Sequence, residues 1–269
     1  MILDEILRHK RREVAERMRR RPLAALEQAS HTAPEPRGLA AALRGGAGPR
    51  IIAEIKRRSP SGGELRPGAS AADLARVYAA NGAAALSVLT DERFFGGRDA
   101  DLIDARSVSG LPTLRKDFVV DAYQVYEARA LGADAVLLIV RALDPPVLAS
   151  LLALAHALGL DALVETHSGE EVGRALAAGA RVVGVNNRDL DTLVTDPSLA
   201  LRLRHLVPTT CTFVAESGVS DPAQMRALAD AGADAVLIGE ALVRSADPGE
   251  RLRELVAAGT PVRVTGDTS

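Results

Sequence analysis

Charged side chains stand at the ends of several aliphatic runs in this sequence. The run Ile51–Ile55 carries Glu54 and is followed by Lys56, and two later runs end at Lys116 and Glu165. Successive side chains of a β-strand point to opposite faces, so Glu54 and Lys56 share one face of their strand. A lysine and a glutamate on nearby strand ends can serve as general acid and base when their surroundings adjust their pKa values.

A structural interpretation of the first pair is equally open. Burying charge is unfavourable unless the charge is paired or used, and buried Glu–Lys ion pairs occur without any function. Five of the eight strand-like runs nevertheless end in polar groups, namely Glu54 with Lys56, Lys116, Glu165, Asn186 with Arg188, and Glu216. Any one of them could be a capping or loop residue, but five together favour a functional site.

Glycines follow the last two runs, at Ser217-Gly218 and Gly239-Glu240. Glycine lets backbone N–H groups approach a phosphate closely, and barrel enzymes often bind phosphate in these loops, next to a helix N-terminus. Tight turns also use glycine, so a simple turn is the alternative interpretation. The occurrence of glycine in both loops favours a phosphate site.

Two loops contain further candidate substrate contacts. The first, residues 56–63, is basic and includes Ser59 and Pro60. It is either a solvated surface loop or a mobile lid that carries cations over an anionic substrate. The second, residues 91–97, contains two adjacent phenylalanines, the second of which is Phe95. They either pack on the rim of the domain or form a wall for an aromatic substrate.

The elements that would position these groups alternate regularly. Eight aliphatic runs predict strands at Ile51–Ile55, Ala84–Leu89, Pro112–Arg115, Ala135–Val140, Ala162–Glu165, Val182–Asn186, Thr212–Ala215 and Ala235–Ile238. Helices are predicted at Ala71–Asn81, Asp99–Ser107, Ala122–Leu131, Pro146–Leu158, Gly169–Ala178, Pro197–His205, Pro222–Ala231 and Asp247–Ala257. Eight α/β units of about 25 residues predict a closed (β/α)8 TIM barrel. A doubly wound open sheet is the alternative, but no G-x-G-x-x-G follows any run.

The residues before the barrel are predicted to be a helical extension of the same domain. The expected division is an extension over residues 1–47, a barrel over residues 48–258 and a frayed tail over residues 259–269. The spacing of apolar side chains predicts helix from Ile2 to Gln28, with a second helix starting at Pro22, and then a loose stretch from His31 to Pro49. The apolar stripe of the first helix is too small to form a separate core. We therefore expect this helix to pack on the mouth of the barrel.

Composition narrows the function classes. The 269 residues carry a formal net charge of −2, which gives no electrostatic case for nucleic acid or an anionic membrane as partner. Cys211 is the only cysteine, and the five histidines are scattered without zinc-site spacing. The N-terminus lacks the apolar segment of a signal peptide, and no apolar run approaches the roughly 20 residues of a membrane span. We predict a cytoplasmic protein without a metal or other cofactor.

Taken in order, these motifs resemble the indole-3-glycerol-phosphate synthase family. The matching segments are residues 53–61, 89–91, 94–96, 114–118, 163–165, 185–190, 215–218 and 237–240. The resemblance runs from the N-terminal helix to the eighth strand. Its specific part is Glu-x-Lys-x-x-Ser-Pro-Ser from Glu54, combined with Leu-Arg-Lys-Asp-Phe from Leu114. Arg98 departs from the pattern of the family, in which a small residue is expected at this position.

The resemblance implies an activity and a set of site residues. The reaction is the decarboxylating, dehydrating ring closure of 1-(2-carboxyphenylamino)-1-deoxyribulose 5-phosphate to indole-3-glycerol phosphate, a step of tryptophan biosynthesis. Lys116 would be the general acid and Glu165 its acid/base partner, with Glu54 and Lys56 in supporting catalytic roles. Implied substrate contacts are Ser59, Pro60, Phe95, Phe118, Leu137, Asn186, Arg188, Leu190, Glu216 and Ile238. Implied phosphate contacts are Lys56, Ser217, Gly218, Gly239 and, through its backbone, Glu240.

Two other functions compete with this one. A barrel of the phosphoribosylanthranilate isomerase kind would use a Cys/Asp pair at strand ends, but Cys211 precedes the seventh predicted strand. A catalytically retired relative that binds a phosphate ligand for regulation would be indicated by loss of Lys116 or Glu165, and both are present. The expected partner is a phosphorylated small molecule. The expected oligomeric state is a monomer, with a dimer as the alternative.

Overall fold

Eight parallel strands form a closed barrel in the computed structural model, which describes residues 2–59, 63–66 and 68–260. The barrel strands are β1 (Arg50–Ile55), β2 (Ala85–Leu89), β3 (Thr113–Lys116), β4 (Ala135–Ile139), β5 (Asp161–Thr166), β6 (Val182–Asn186), β7 (Thr212–Glu216) and β8 (Ala235–Ile238). Each pairs with the next, and the ring closes because Ile52 of β1 lies beside both Ala85 and Leu237. The predicted TIM barrel is confirmed, with strand bounds within a residue or two of those expected.

Helices surround the barrel and extend it at the N-terminus. They are α1 (Ile2–Arg20), α2 (Leu23–Thr32), α3 (Leu39–Ala42), α4 (Ala71–Ala80), α5 (Glu92–Phe95), α6 (Asp99–Ser109), α7 (Ala122–Ala130), α8 (Pro145–Ala157), α9 (Gly169–Ala177), α10 (Leu199–Leu203), α11 (Pro222–Asp230), α12 (Glu240–Val243) and α13 (Pro248–Gly259). Helix α10 is shorter than predicted. The Asp196 carboxylate accepts the N–H of Ser198 at 3.0 Å in a turn, so the helix begins only at Leu199.

The strands separate two apolar layers. In β1, Ile51, Ala53 and Ile55 face the surrounding helices, whereas Ile52 belongs to the cluster that fills the barrel interior. Parallel strands covered on both faces must be apolar on both, which explains the continuous aliphatic runs. Glu54 shares the inner face with Ile52 and lines the interior cavity. The fold therefore carries its polar strand-end groups into the barrel.

The extension closes both ends of the barrel. Leu3, Ile6 and Leu7 of α1 are buried in the interior cluster together with Phe118, as expected for a helix that packs on the mouth. The stretch that was expected to be loose contains α3, whose Leu39 is fully buried in the same cluster. Helix α3 lies against the starts of the strands, because Ala40 N–H donates to the Asp161 carboxylate at 2.8 Å. Helix α3 was not predicted because it is only four residues long and all four are apolar, so it shows no alternation of apolar and polar residues at helical spacing.

The remaining predictions concern the chain end and the membrane. Helix α13 reaches Gly259, and residues 261–269 of the predicted tail lie outside the described residues. Within the part of the chain that the structure describes, no helix combines the length and apolar character needed to cross a lipid bilayer.

Candidate active site

A cavity of about 530 Å³ opens at the carboxyl ends of the barrel strands. Loops at this end of a TIM barrel carry the active site in characterised enzymes of the fold. The predicted site residues that line the cavity are Glu54, Lys56, Phe95, Lys116, Phe118, Leu137, Glu165, Asn186, Arg188, Leu190, Glu216, Ser217, Gly218, Ile238, Gly239 and Glu240. The other two are Ser59, whose backbone belongs to the short strand Arg58–Ser59, and Pro60, which lies outside the described residues.

Three ionisable side chains meet at the base of the cavity. Lys116 Nζ lies 2.8 Å from an oxygen of Glu165 and 3.4 Å from an oxygen of Glu216. Both glutamate side chains are 1% exposed, whereas that of Lys116 is 13% exposed. Strands β3, β5 and β7 are not neighbours, but alternate strands of a TIM barrel send their inward side chains to the same layer. Barrel closure therefore assembles this centre from three separate strand ends.

Burial and mutual charge set the protonation of this centre. Burial alone would lower the pKa of Lys116, but the carboxylates of Glu165, Glu216 and Glu54 outweigh it and raise that pKa. Burial would raise the pKa of Glu165, but the Lys116 ammonium holds it below its usual range. Burial raises the pKa of Glu216, opposed by Lys116 and assisted by the charge of Glu165. The arrangement favours one ammonium, one carboxylate and one protonated carboxyl group.

Several buried carboxylate oxygens at this centre lack a hydrogen-bond partner among the described residues. They are Oε1 of Glu165 and both side-chain oxygens of Glu216. A buried polar atom without a partner is costly, on the order of 1–3 kcal/mol. The two Glu216 oxygens are therefore available to polar groups of a substrate that enters the cavity, whereas Oε1 of Glu165 lies toward His167.

A second charged pair lies on β1. Lys56 Nζ donates to Oε2 of Glu54 at 2.5 Å, and both side chains are nearly buried. A Cβ atom at Gly239 would overlap this same Oε2. Gly239 was predicted only as a phosphate contact, but the structure gives it a further role. The absence of a side chain there makes room for the Glu54 carboxylate.

We expect Gly239→Ala to lower kcat by about tenfold, because Glu54 is predicted to support catalysis and a displacement of about 1 Å at such a group can cost up to roughly 100-fold. The added Cβ must push Glu54 out of its position beside Lys56. Steady-state kinetics would give kcat and KM separately, with Gly218→Ala as the comparison. A Cβ at Gly218 would meet the Thr195 side chain at 2.7 Å, away from Glu54, and should mainly raise KM. A Gly239→Ala variant with raised KM and unchanged kcat would contradict the assignment.

The end of the cavity near strands β7 and β8 is suited to an anion. Ser217 and Gly218 have φ values of 61° and 76°, so two successive residues adopt the left-handed conformation and form a sharp turn. Arg188 and Arg244 line the cavity near it. The Glu240 carboxylate accepts a hydrogen bond from Arg244 at 2.9 Å and lies 3.6 Å from Arg188. Its charge is thus held by arginines, so only its backbone remains a candidate phosphate contact.

An apolar wall faces the charged centre. The rings of Phe95 and Phe118 lie 6.0 Å apart between centroids, with their planes inclined by 34°. Leu137, Leu190 and Ile238 complete the predicted wall. Sequence reasoning missed part of it, namely Ile2, Leu3, Ile6, Leu89, Ile139 and Leu237. The apolar stripe of α1 was recognised, but its spacing does not reveal what the stripe covers.

Two buried groups next to the site were also missed. Lys10 Nζ lies 2.9 Å from carboxylate oxygens of both Asp91 and Asp117. His167 Nε2 lies 3.5 Å from Oε1 of Glu165. Each left a signal in the sequence. Lys10 interrupts the apolar stripe of α1 at helical spacing, and His167 is a second ionisable residue close to Glu165, one position beyond the end of β5.

Arg57 and Arg58, at the start of the first loop, form hydrogen bonds with helix α6 and with the second loop. The Arg57 guanidinium donates to both oxygens of Asp101, at 2.7 and 3.1 Å, and Arg98 donates to the same carboxylate at 3.0 Å. The unexpected Arg98 thus joins an ion-pair cluster. Arg58 donates to the carbonyl of Glu92 at 2.9 Å, which links the first loop to the second. A role of the first loop as a lid stays a prediction.

Solved structures share the fold at low sequence identity. A thiamine phosphate pyrophosphorylase from Pyrococcus furiosus matches with a TM-score of 0.59 and 18% identity, over 78% of this chain and 94% of that chain. An N-acetylmannosamine-6-phosphate 2-epimerase from Clostridium perfringens matches with a TM-score of 0.57 and 17% identity, over 72% of this chain and 88% of that chain. These likenesses support the barrel architecture alone.

Sequence comparisons are more specific. The family model described as indole-3-glycerol phosphate synthase matches residues 3–255. An indole-3-glycerol phosphate synthase of Micrococcus luteus is 51% identical over 97% of this chain and 99% of its own length. Another, from a Parafrankia species, is 53% identical over 96% of each chain. Because the family model spans nearly the whole chain and both relatives share about half of their residues with it over their length, the chain belongs to the indole-3-glycerol phosphate synthase family.

Proposed function

We propose that this chain catalyses the ring closure of 1-(2-carboxyphenylamino)-1-deoxyribulose 5-phosphate, with loss of carbon dioxide and water. The observation that carries the proposal is the position of Lys116 between Glu165 and Glu216, in a cavity with an apolar wall and a glycine-lined end. The substrate has an aromatic ring at one end and a phosphate at the other. Its reacting carbonyl group lies between them, as the charged centre lies between the two ends of the cavity.

The first chemical step forms the new carbon–carbon bond. The Lys116 ammonium donates a hydrogen bond to the carbonyl oxygen and then a proton, while the ring carbon that bears the carboxylate attacks the carbonyl carbon. The carboxylate leaves as carbon dioxide, and its bonding electron pair restores the aromatic ring. A preorganised cation in a site shielded from water stabilises the charge that develops on the oxygen.

The second step expels the former carbonyl oxygen as water. Lys116, recharged with a proton, donates it to the hydroxyl group, and Glu165 removes a proton from the carbon next to nitrogen. The lowered pKa of Glu165 keeps it ionised and able to accept that proton. The hydrogen bond between Glu165 and Lys116 allows protons to pass between the two groups.

Binding is proposed to use the two ends of the cavity. The phosphate would lie against backbone N–H groups of Ser217, Gly218, Gly239 and Glu240, with Lys56 as a cation close by. Phe95, Phe118, Leu137, Leu190 and Ile238 would enclose the aromatic ring, and Pro60 and Ser59 would approach it from the first loop. Glu54 would orient Lys56, while Asn186 and Arg188 would hold the polar middle of the substrate. Glu216 would contact the ribulose hydroxyl groups.

Location, oligomeric state and cofactor requirement belong to the same proposal. We propose a cytoplasmic monomer that forms one domain over residues 1–269 and that needs no cofactor, nucleic acid or membrane. The absence of a cofactor is supported by the chemistry, which needs proton transfer and no change of redox state. It is also supported by the side chains, since no three His, Cys, Asp or Glu groups of the described ranges form a metal-type cluster.

The competing functions find less support. The Cys211 thiol donates to the carbonyl of Ala180 at 3.3 Å, before β7 begins and away from the cavity. A Cys/Asp isomerase mechanism therefore has no thiol at the candidate site. A retired phosphate-binding relative would not need Lys116 and Glu165 in hydrogen-bond contact.

The proposal is tested by mixing the purified protein with the carboxyphenylamino-deoxyribulose phosphate and recording indole fluorescence. We expect turnover in buffer without added metal or nucleotide, and an unchanged rate after dialysis against a chelator. Absence of the indole product would refute the proposed reaction. Strong inhibition by the chelator, reversed by a divalent ion, would refute the absence of a metal.

A further inference from the structure

A buried histidine lies behind Glu165, on the side away from Lys116. The imidazole of His167 is 1% exposed, and its Nε2 lies 3.5 Å from Oε1 of Glu165. This is the Glu165 oxygen that lacks a hydrogen-bond partner, whereas the other oxygen accepts from Lys116 at 2.8 Å. Glu165 therefore has one oxygen toward the substrate cavity and one toward the histidine.

The other ring nitrogen of His167 faces a second carboxylate. Nδ1 lies 3.4 Å from Oε2 of Glu171, and this oxygen also accepts the backbone N–H of His167 at 2.7 Å. Glu171 is in the first turn of α9, and its side chain is 11% exposed. Arg141 Nε donates to its other oxygen at 3.2 Å. The series Glu165, His167 and Glu171 thus runs outward from the buried centre to a carboxylate whose side chain is 11% exposed.

The proposed reaction consumes one proton from solvent in each turnover. The carbonyl oxygen leaves as water and takes up two protons, and the carbon next to nitrogen returns one. The carboxylate leaves as carbon dioxide and supplies no proton, because its electron pair goes to the ring. One proton must therefore reach the Lys116–Glu165 pair from outside while substrate and intermediates occupy the cavity.

We propose that His167 relays this proton from Glu171 to Glu165 and holds the Glu165 carboxylate in position. An imidazole can accept a proton at one nitrogen and release another from the second, so it can pass a proton between two carboxylates. The two ring nitrogens lie 3.4 and 3.5 Å from the carboxylates without a hydrogen bond, so a small shift of the ring makes each contact, and rotation of the ring restores the starting tautomer. The path approaches Glu165 from behind and stays open when the cavity is filled. His167 touches no substrate, so it is a positioning and relay residue. The inference rests on the proposed role of Glu165.

The test combines His167→Gln with Glu171→Gln and uses Glu170→Gln as the matched control. Glutamine keeps hydrogen-bonding atoms but cannot relay a proton. We expect kcat of His167→Gln and Glu171→Gln to fall by about tenfold with KM unchanged, less than the roughly 100-fold loss expected for a group that transfers a proton to the substrate itself. Glu170 is exposed on the same turn of α9, so Glu170→Gln should keep the wild-type kcat.

Rescue separates relay from a purely structural role. His167→Ala leaves a space for free imidazole, which should raise kcat of this variant at least about threefold and leave the wild type unaffected, since a mobile base can replace a fixed one. A His167→Gln variant with near-normal kcat would overturn the inference. So would a His167→Ala variant that is impaired but does not respond to imidazole while its melting temperature stays near the wild-type value.

The same experiment distinguishes failure of the relay from failure of the proposed function. A wild-type protein without indole product would refute the reaction itself. An active Glu165→Gln variant would refute the role of Glu165, and with it the relay. An active wild type, an impaired Glu165→Gln variant and an unimpaired His167→Gln variant would refute the relay alone.

Discussion

Lys116→Met is expected to lower kcat by about 100-fold or more, the usual contribution of a positioned acid. Lys116 Nζ lies 2.8 Å from Glu165, and the substitution removes the proposed proton donor together with the cation proposed to stabilise the developing oxyanion. Removing a group that acts in the transition state lowers kcat and kcat/KM together, whereas loss of uniform binding raises KM alone. Pre-steady-state and steady-state indole fluorescence would measure both quantities.

Two comparisons make the Lys116 result interpretable. The variant should still bind a reduced, non-reacting substrate analogue, because the phosphate and ring contacts are retained. Lys56→Met should raise KM more than it lowers kcat, since Lys56 is paired with Glu54 and is proposed as a phosphate contact. If Lys116→Met kept a near-normal kcat, the general-acid role would be wrong, and Lys56 would become the leading candidate.

The second large effect concerns stability. Lys10→Met is expected to lower the free energy of unfolding by about 3–5 kcal/mol, the usual cost of removing one partner from a buried ion pair. The Lys10 side chain is 1% exposed and lies 2.9 Å from the carboxylates of Asp91 and Asp117. Asp91 caps α5, which carries Phe95, and Asp117 follows Lys116. The single ammonium thus anchors α1 to two loops of the site.

The effect of Lys10 should depend on pH in a defined direction. Its carboxylate partners outweigh burial and raise the pKa of Lys10 above the ordinary 10.5. Burial would raise the pKa of Asp117, but Lys10 and Arg115 lower it from 3.8 to about 2. The stabilisation is therefore present from about pH 4 upward to the alkaline range. It is lost as pH falls from 3.8 toward 2, and again as pH rises beyond 10.5.

Urea denaturation of the wild type and Lys10→Met at several pH values would measure this difference. The matched control is Arg76→Met, which removes an exposed pair with Asp73 whose side chains are 59% and 72% accessible. Exposed pairs contribute about 0–1 kcal/mol, so the control should be nearly neutral. A Lys10→Met variant as stable as this control at pH 7 would contradict an anchoring role.

Most of the fold was predictable because its signals are local. A parallel strand covered on both faces must be aliphatic, so each barrel strand could be predicted from a short continuous run of aliphatic residues. Alternation along a strand then placed Glu54 with Lys56, and Glu165 with Leu163, on one face. Helix α3 was not predicted, since four residues give no period, and its burial depends on what closes the far end of the barrel.

The residues of the candidate site were predicted from the ends of the strands, but the contacts between their side chains were not. The sequence by itself determined eight α/β units, the polar groups that end their strands and the family to which they belong. Which of those groups meet was decided only by barrel closure, which brings Lys116 between Glu165 and Glu216 from three non-adjacent strands. The tertiary structure also decided that Lys10 is buried and that Gly239 makes room for Glu54. It likewise placed His167 beside the Glu165 carboxylate. Spacing along a chain fixes the face of a residue, whereas its partner across the interior depends on contacts between distant segments.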